Sequence, residues 1–87
     1  MGVLNYTQSG RAAVVTKSDT VKIPSPSGGE NFEGCILYIG GAGNVRVLTI
    51  GGDDVIFYAV PAGTTLQVKV RQVFSTDTTA TNIVALW

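Results

Sequence analysis

Residues 35–73 read CILYIGGAGNVRVLTIGGDDVIFYAVPAGTTLQVKVRQV, and this stretch decides the fold class. Apolar and β-branched runs alternate in it with short turn signals at 40–44 (GGAGN), 51–54 (GGDD) and 61–64 (PAGT). Glycine and proline favour tight turns, and turns spaced by about ten residues are typical of β-sandwiches and barrels. No window repeats the i, i+3, i+4 spacing of an amphipathic helix. The sequence therefore predicts an all-β protein.

The segments on either side fit the same pattern and complete one domain, since 87 residues leave no room for a second. We predict a single small antiparallel β-sandwich or jelly-roll-like domain over 11–87, preceded by a short N-terminal arm over 1–10. The arm has few apolar side chains in no regular period, and we expect it to become ordered only on assembly. The predicted strands are 11–16, 20–24, 35–39, 45–50, 55–60, 65–73 and 83–87.

Two of these strands are apolar on both faces. VIFYAV at 55–60 and IVALW at 83–87 show no alternation, whereas LQVKVRQV at 66–73 alternates apolar and polar residues. An antiparallel strand ordinarily packs one face on the core and turns the other to water. We therefore predict that the last strand is buried on both faces, and that a loop, the arm or another chain covers the second face of 55–60. The alternation of side chains along the strand does not decide whether Trp87 faces its own core or that of a neighbour.

The chain offers little for catalysis or for ligand binding. It has no histidine, which removes the commonest general base and metal ligand. Asp53 and Asp54 belong to a tight turn, and Cys35 opens an apolar run, where we expect a buried, inert thiol. GGAGN precedes a strand rather than a helix that could hold phosphate. We predict no enzyme activity, no cofactor and no bound metal.

Charge and hydropathy exclude two classes of partner. Six basic and six acidic residues give zero net charge, so nothing favours nucleic acid or an anionic membrane. No apolar run approaches the ~18 residues that span a bilayer. Charged residues are 14% of the chain, against about 25% in an ordinary soluble domain. A surface so poor in charge favours association with other protein chains.

Four motifs between Ser18 and Trp87 resemble one family. They are SDTV at 18–21, LYIGGAGNVRVLT at 37–49, GGDDVIFYAVPAGTTLQVKVRQV at 51–73 and TDTTATNIVAL at 76–86. In this order and spacing they are similar to the spike-base proteins of tailed phages and gene transfer agents. The resemblance implies a structural virion protein, made in the host cytoplasm and carried on the capsid exterior. There it would form a ring at a capsid vertex and anchor a spike or fibre protein to the major capsid protein.

A ring would also cover the doubly apolar strands. We expect a closed homo-oligomer, a pentamer if it occupies a vertex and otherwise a trimer. Two other functions stay open, a carbohydrate- or receptor-binding domain of a phage fibre and a decoration (cement) protein of the capsid faces. The first would need Tyr38, Tyr58 and Phe74 to face solvent, and the second would be trimeric. The residues expected at the subunit boundary are Ile56, Tyr58, Leu86 and Trp87.

Overall fold

The computed structural model describes residues 10–25, 29 and 33–87. In this part of the chain there are six strands and no helix, and hence no helix that is long and apolar enough to cross a membrane. The strands form one antiparallel sheet in the order β1-β6-β2-β5-β3-β4. The predicted all-β antiparallel fold is confirmed, with a single sheet in place of two separate ones. The strands are β1 (Ala12–Val14), β2 (Cys35–Gly41), β3 (Gly43–Thr49), β4 (Asp54–Val60), β5 (Thr64–Val73) and β6 (Thr81–Leu86).

One face of the sheet encloses the core. Leu37 and Ile39 of β2 and Val45 and Val47 of β3 have no exposed surface, although β2 and β3 pair with opposite edges of β5. Because every second side chain of a strand points to the same face, these positions all turn inward. Each such side chain contributes about 1.5–3 kcal/mol when it is buried. The buried apolar core consists of Ile23, Cys35, Leu37, Ile39, Val45, Val47, Val60, Leu66, Val70, Val73, Ala80, Ile83 and Ala85.

The predicted strand at 20–24 is wrong. The hydroxyl of Ser18 accepts hydrogen bonds from the N–H groups of Thr20 and Val21 and bends the chain there. Ile23 then donates its N–H to the carbonyl of Arg71 at 2.8 Å and is buried. Proline cannot donate to a ladder, so Pro24 stops any extension of this pairing. The segment covers the core as irregular chain, and six strands result where seven were predicted.

The GGAGN stretch is not a hairpin turn. β2 ends at Gly41 and β3 begins at Gly43, and the two strands lie on opposite sides of β5. The chain therefore passes from one part of the sheet to another at this corner. Beyond the corner, Asn44 is held by the last loop, because its carbonyl accepts the N–H of Thr79 at 2.9 Å and that of Ala80 at 3.1 Å.

The terminal strand is confirmed as part of the sheet, but its two faces differ. β6 lies between β1 and β2, and the N–H of Trp87 donates to the carbonyl of Arg11 at 2.9 Å. Ile83 and Ala85 are buried in the core. Val84 and Leu86, on the other face, are only half-buried in the single chain. In the described part of the chain the sheet has only one covered face, so the prediction that both faces are buried is wrong within one copy.

The predicted arm lies, except for Gly10, outside the described residues, so the boundary at residue 10 stays a prediction. Gly10 itself donates its N–H to the carbonyl of Trp87 at 2.8 Å.

The thiol of Cys35 is buried, with 2% of the residue exposed, and lies 3.5 Å from the carbonyl of Val70. A thiol reagent reaches such a group only when the surrounding structure opens. We expect native protein to react at least about a hundredfold more slowly than protein unfolded in urea. Equal rates in the two states, followed by absorbance of the released chromophore, would contradict the expected inertness.

Candidate assembly surface

The four predicted interface residues lie on two separate strands. Ile56 and Tyr58 belong to β4, the outermost strand at one end of the sheet, whereas Leu86 and Trp87 lie at the end of β6. β2, β5 and β3 separate β6 from β4 in the sheet order. The structure therefore brings these residues together in pairs and not as one cluster. A contact between copies that uses all four would join different parts of the two chains.

Trp87 faces its own core. It packs against the buried cluster and shares the strand parity of Ile83 and Ala85, which are buried. Leu86 has the opposite parity and lies on the outer face of the sheet. Of the two residues, Leu86 is thus the one on the outer face, which the sequence could not decide.

An apolar patch covers the outer face of β1, β6 and β2. Residues paired across neighbouring strands share a face, and two such rows cross these strands. One row is Val14, Val84 and Tyr38, and the other is Ala12, Leu86 and Ile36. Val14 is 80% exposed and Tyr38 is 40% exposed. We call these six residues the outer patch. In the sequence, the continuous apolar run CILYI indicated an apolar outer face on β2. Nothing in the sequence indicated that Val14 would be part of the same surface.

The exposed face of β4 adjoins a small polar cluster centred on Arg46. The guanidinium donates from Nε to Asp54 Oδ1 at 3.0 Å and from Nη2 to Asp54 Oδ2 at 2.8 Å. It also lies 4.3 Å from the centre of the Phe74 ring and 3.7 Å from the carboxylate of Asp77. Ile56 is paired with Arg46 across the strands, so it stands beside this cluster on the outer face. The cluster fixes the side chains that border the exposed β4.

Two carboxylates near this face are stabilised in their charged form. Hydrogen bonds from Arg46 lower the pKa of Asp54 and raise that of Arg46. Hydrogen bonds from the hydroxyl and the N–H of Thr76 lower the pKa of Asp19. A carboxyl whose pKa falls on folding stabilises the protein above its unfolded pKa and loses this contribution as the pH falls through its folded pKa.

Acid should therefore destabilise the protein partly through Asp54. We expect a lower urea midpoint at about pH 3 than at about pH 6, and a smaller difference between the two in Asp54→Asn. The effect should be modest, because the pair is exposed to solvent. Equal acid sensitivity of the variant and the wild type would show that this ion pair contributes nothing.

The described residues offer no evident catalytic or metal site. Within residues 10–25, 29 and 33–87 no group of three or more His, Cys, Asp or Glu side chains could hold a metal ion. A cavity of about 370 Å³ lies beside 14–18 and 21–24, and its lining contains Lys17 and Lys22 but no carboxylate. This lining lacks a pair of groups suited to acid and base catalysis.

Comparison with known proteins shows a likeness in structure. No protein-family model matches the chain, and no curated protein matches it. The solved "Capsid of native GTA particle computed with C5 symmetry" contains a chain of similar structure, with a TM-score of 0.72. The two chains share this fold. They are 23% identical, and the likeness covers 91% of the present chain and 83% of the other.

Proposed function

We propose that this protein is a structural component of the virion of a tailed phage or a gene transfer agent. In this role it forms a homo-oligomeric ring, preferably a pentamer, at the base of a capsid spike. The ring sits on the capsid exterior and anchors a spike or fibre protein to the major capsid protein. The role requires no catalysis, no cofactor and no contact with nucleic acid or membrane.

The likeness to the GTA capsid chain carries this proposal. It extends over nearly the whole of both chains, so the complete domain and not a shared fragment is alike. The particle that contains that chain has five-fold symmetry imposed. Five-fold symmetry is the symmetry of a capsid vertex, which is where we propose that the ring lies. The motifs between Ser18 and Trp87, which resemble those of spike-base proteins, support the proposal independently of the fold.

The exposed apolar surface supports assembly into a ring. Tyr58 is 71% exposed and Val14 80% exposed, and both lie on sheet faces that one copy leaves uncovered. Ile56, Tyr58 and Leu86 are the residues that we place at the subunit boundary, with Trp87 beside it as part of the supporting core. A ring hides such surface because each copy covers its neighbour, and closure leaves no unpaired end.

Native mass spectrometry of the full chain, combined with symmetry-resolved imaging of the particle, tests the proposal. A pentamer in solution and a five-fold ring at the vertices would support it. A trimer located on the capsid faces would instead indicate a decoration protein. A monomer in solution that is also absent from the vertices would refute the ring.

One observation favours a second function. Tyr38 and Tyr58 are both exposed in the single chain, and exposed aromatic rings are the usual platform for a sugar. Phe74, the third ring that such a site would need, is half-buried beneath Arg46. A glycan array with the assembled protein separates the two functions. Binding that is lost in Tyr38→Ala would favour a receptor-binding domain.

A further inference from the structure

The two ends of the sheet are suited to pair with each other. Within residues 10–25, 29 and 33–87, β1 and β4 are the outermost strands, and each is hydrogen-bonded to a neighbouring strand on one side only. We call their other sides the β1 edge and the β4 edge. Natural sheets usually protect such edges with lysine, proline or a bulge. Strand β4 has neither lysine nor proline, and Asp54 is its single charged residue. Its register against β3 shifts between Phe57 and Val60, so this irregularity is confined to the end of the strand.

The β4 edge presents the backbone groups of Asp54, Ile56 and Tyr58. The N–H of Thr49 donates to the carbonyl of Asp53 at 2.9 Å, which makes these two residues a hydrogen-bonded pair. Hydrogen-bonded and non-hydrogen-bonded pairs alternate along an antiparallel ladder. In the observed register of β3 and β4, Asp54, Ile56 and Tyr58 therefore direct their N–H and C=O groups away from the sheet, before the register shifts and Val60 pairs with Gly43.

The partners of Arg46 agree with this assignment. Arg46 lies opposite Ile56, yet its N–H donates to the Thr78 hydroxyl at 2.9 Å and its carbonyl accepts the N–H of Phe74 at 2.9 Å. The backbone groups of Ile56 are consequently left for the β4 edge. This edge ends at Ala59, whose N–H donates a hydrogen bond to the side-chain oxygen of Asn44 in β3.

The β1 edge presents the backbone groups of Ala12 and Val14. The N–H of Val15 donates to the carbonyl of Ile83 at 2.9 Å, and the carbonyl of Arg11 accepts the N–H of the last residue. By the same alternation Ala13 also faces β6, and the backbone groups of Ala12 and Val14 point away from it. Their side chains lie on the outer face and are exposed.

We propose that the β4 edge of one copy pairs antiparallel with the β1 edge of the next, with Val14 opposite Ile56 and Ala12 opposite Tyr58. The sheet then continues from subunit to subunit. This proposal rests on the ring assembly proposed above and specifies its interface. Each of the two pairs exchanges two backbone hydrogen bonds.

Two features of the chain fit a second copy as the occupant of this edge. Every pair of neighbouring strands in the sheet is antiparallel. The first and last strands of the order, β1 and β4, therefore run in opposite directions. If a second copy is placed beside β4 by a rotation about an axis parallel to the strands, its β1 therefore lies antiparallel to the β4 of the first copy. The outward-pointing residues of both edges also carry their side chains on the outer face, so the pairing keeps core faces and outer faces aligned.

Charge complements this pairing. The antiparallel register brings Lys17, which follows β1, to the same end as Asp53 and Asp54 at the start of β4. Among the described residues Lys17 has no carboxylate partner, and its ammonium group donates to the carbonyls of Thr78 and Ala80. The opposite charges favour this register over the reverse direction.

Cysteine cross-linking of the full chain tests the register. The Cα atoms of a hydrogen-bonded pair lie about 5.5 Å apart, within the range of a disulfide. Oxidised Val14→Cys/Ile56→Cys protein should therefore give covalent multimers on a denaturing gel. The matched controls are each single variant and Val14→Cys/Val55→Cys, in which the second cysteine has the core-facing parity. These controls should remain monomeric on the gel.

Proline substitution gives a second, independent measurement. Ile56→Pro removes an N–H group that points to the β4 edge and leaves the ladder with β3 in place. We expect its native mass to shift from the oligomer to the 9.1 kDa chain, with the β signal in circular dichroism retained. Val55→Pro, which removes an N–H of the β3 ladder, should unfold instead.

The outcomes separate this inference from the ring itself. If native mass shows an oligomer but the double-cysteine protein gives no multimers, the edge pairing is overturned and the ring survives. Covalent dimers of a single variant would indicate a two-fold contact and would also overturn it. A wild-type chain that is monomeric in solution and absent from the capsid vertices would refute the ring and the edge pairing together.

Discussion

Alanine in place of Gly43 is expected to destabilise the fold by about 2–4 kcal/mol. A Cβ atom at this position would lie 2.6 Å from the backbone nitrogen of Ala80 and 2.8 Å from the backbone carbon of Thr79. Real Cβ contacts are not this short, and a backbone neighbour cannot rotate away as a side chain can. The φ of Gly43 is +155°, in a region that L-residues rarely adopt. The corner between β2 and β3 would have to open.

Gly51→Ala is the matched control. A Cβ atom there would meet nothing closer than the Thr49 hydroxyl at 3.9 Å, which is an ordinary contact. Because alanine restricts the unfolded chain, this variant should be neutral or stabilised by about 0.5 kcal/mol. Urea unfolding followed by tryptophan fluorescence measures both variants. Equal stabilities of the two would show that the corner tolerates a side chain.

Glutamate in place of Tyr58 is expected to abolish assembly and leave the monomer folded. Tyr58 is 71% exposed in one chain, so the substitution should change folding stability by less than about 0.5 kcal/mol. A charge that becomes desolvated in an interface costs about 3 kcal/mol or more, which weakens each contact over a hundredfold. Leu86→Glu should act in the same direction with an additional loss of stability, because Leu86 is already half-buried.

Gln67→Glu makes the same change in charge at another exposed position and serves as the control. Light scattering and native mass spectrometry of the three proteins, at equal concentration, measure the result. We expect wild type and Gln67→Glu to be oligomeric and Tyr58→Glu to be monomeric. An oligomer that persists in Tyr58→Glu would remove this residue from the interface.

The features that the sequence predicted well are local ones. Glycine and proline at 51–52 and 61–63 mark the turns on either side of β4, and both turns are present. The alternation of β5 places Leu66 and Val70 in the core and leaves Gln67 and Lys69 exposed. Turn type and strand periodicity depend on residues a few positions apart. They can therefore be predicted without knowledge of the fold.

The polar run at 76–81 makes long-range hydrogen bonds that the sequence did not predict. It resembles a solvated loop, yet the Thr78 hydroxyl accepts the N–H of Arg46, and the Thr79 hydroxyl accepts the N–H of Asn44, both at 2.9 Å. These side chains take the place of a strand where β3 extends past the end of β5. A threonine hydroxyl can bond equally well to water or to the backbone. The presence of threonine in a sequence therefore does not indicate a partner elsewhere in the chain.

The sequence alone determined that the chain is an all-β domain, where most strands begin and end, and that two strands carry more apolar surface than one core can cover. Only the tertiary structure decided that β4 is an edge, that Trp87 packs inward while Leu86 faces out, and that 20–24 is not a strand. Strand order and the choice of core face depend on contacts between residues far apart in the chain. Such contacts are selected by the packing of the whole sheet, and no short stretch of sequence encodes them.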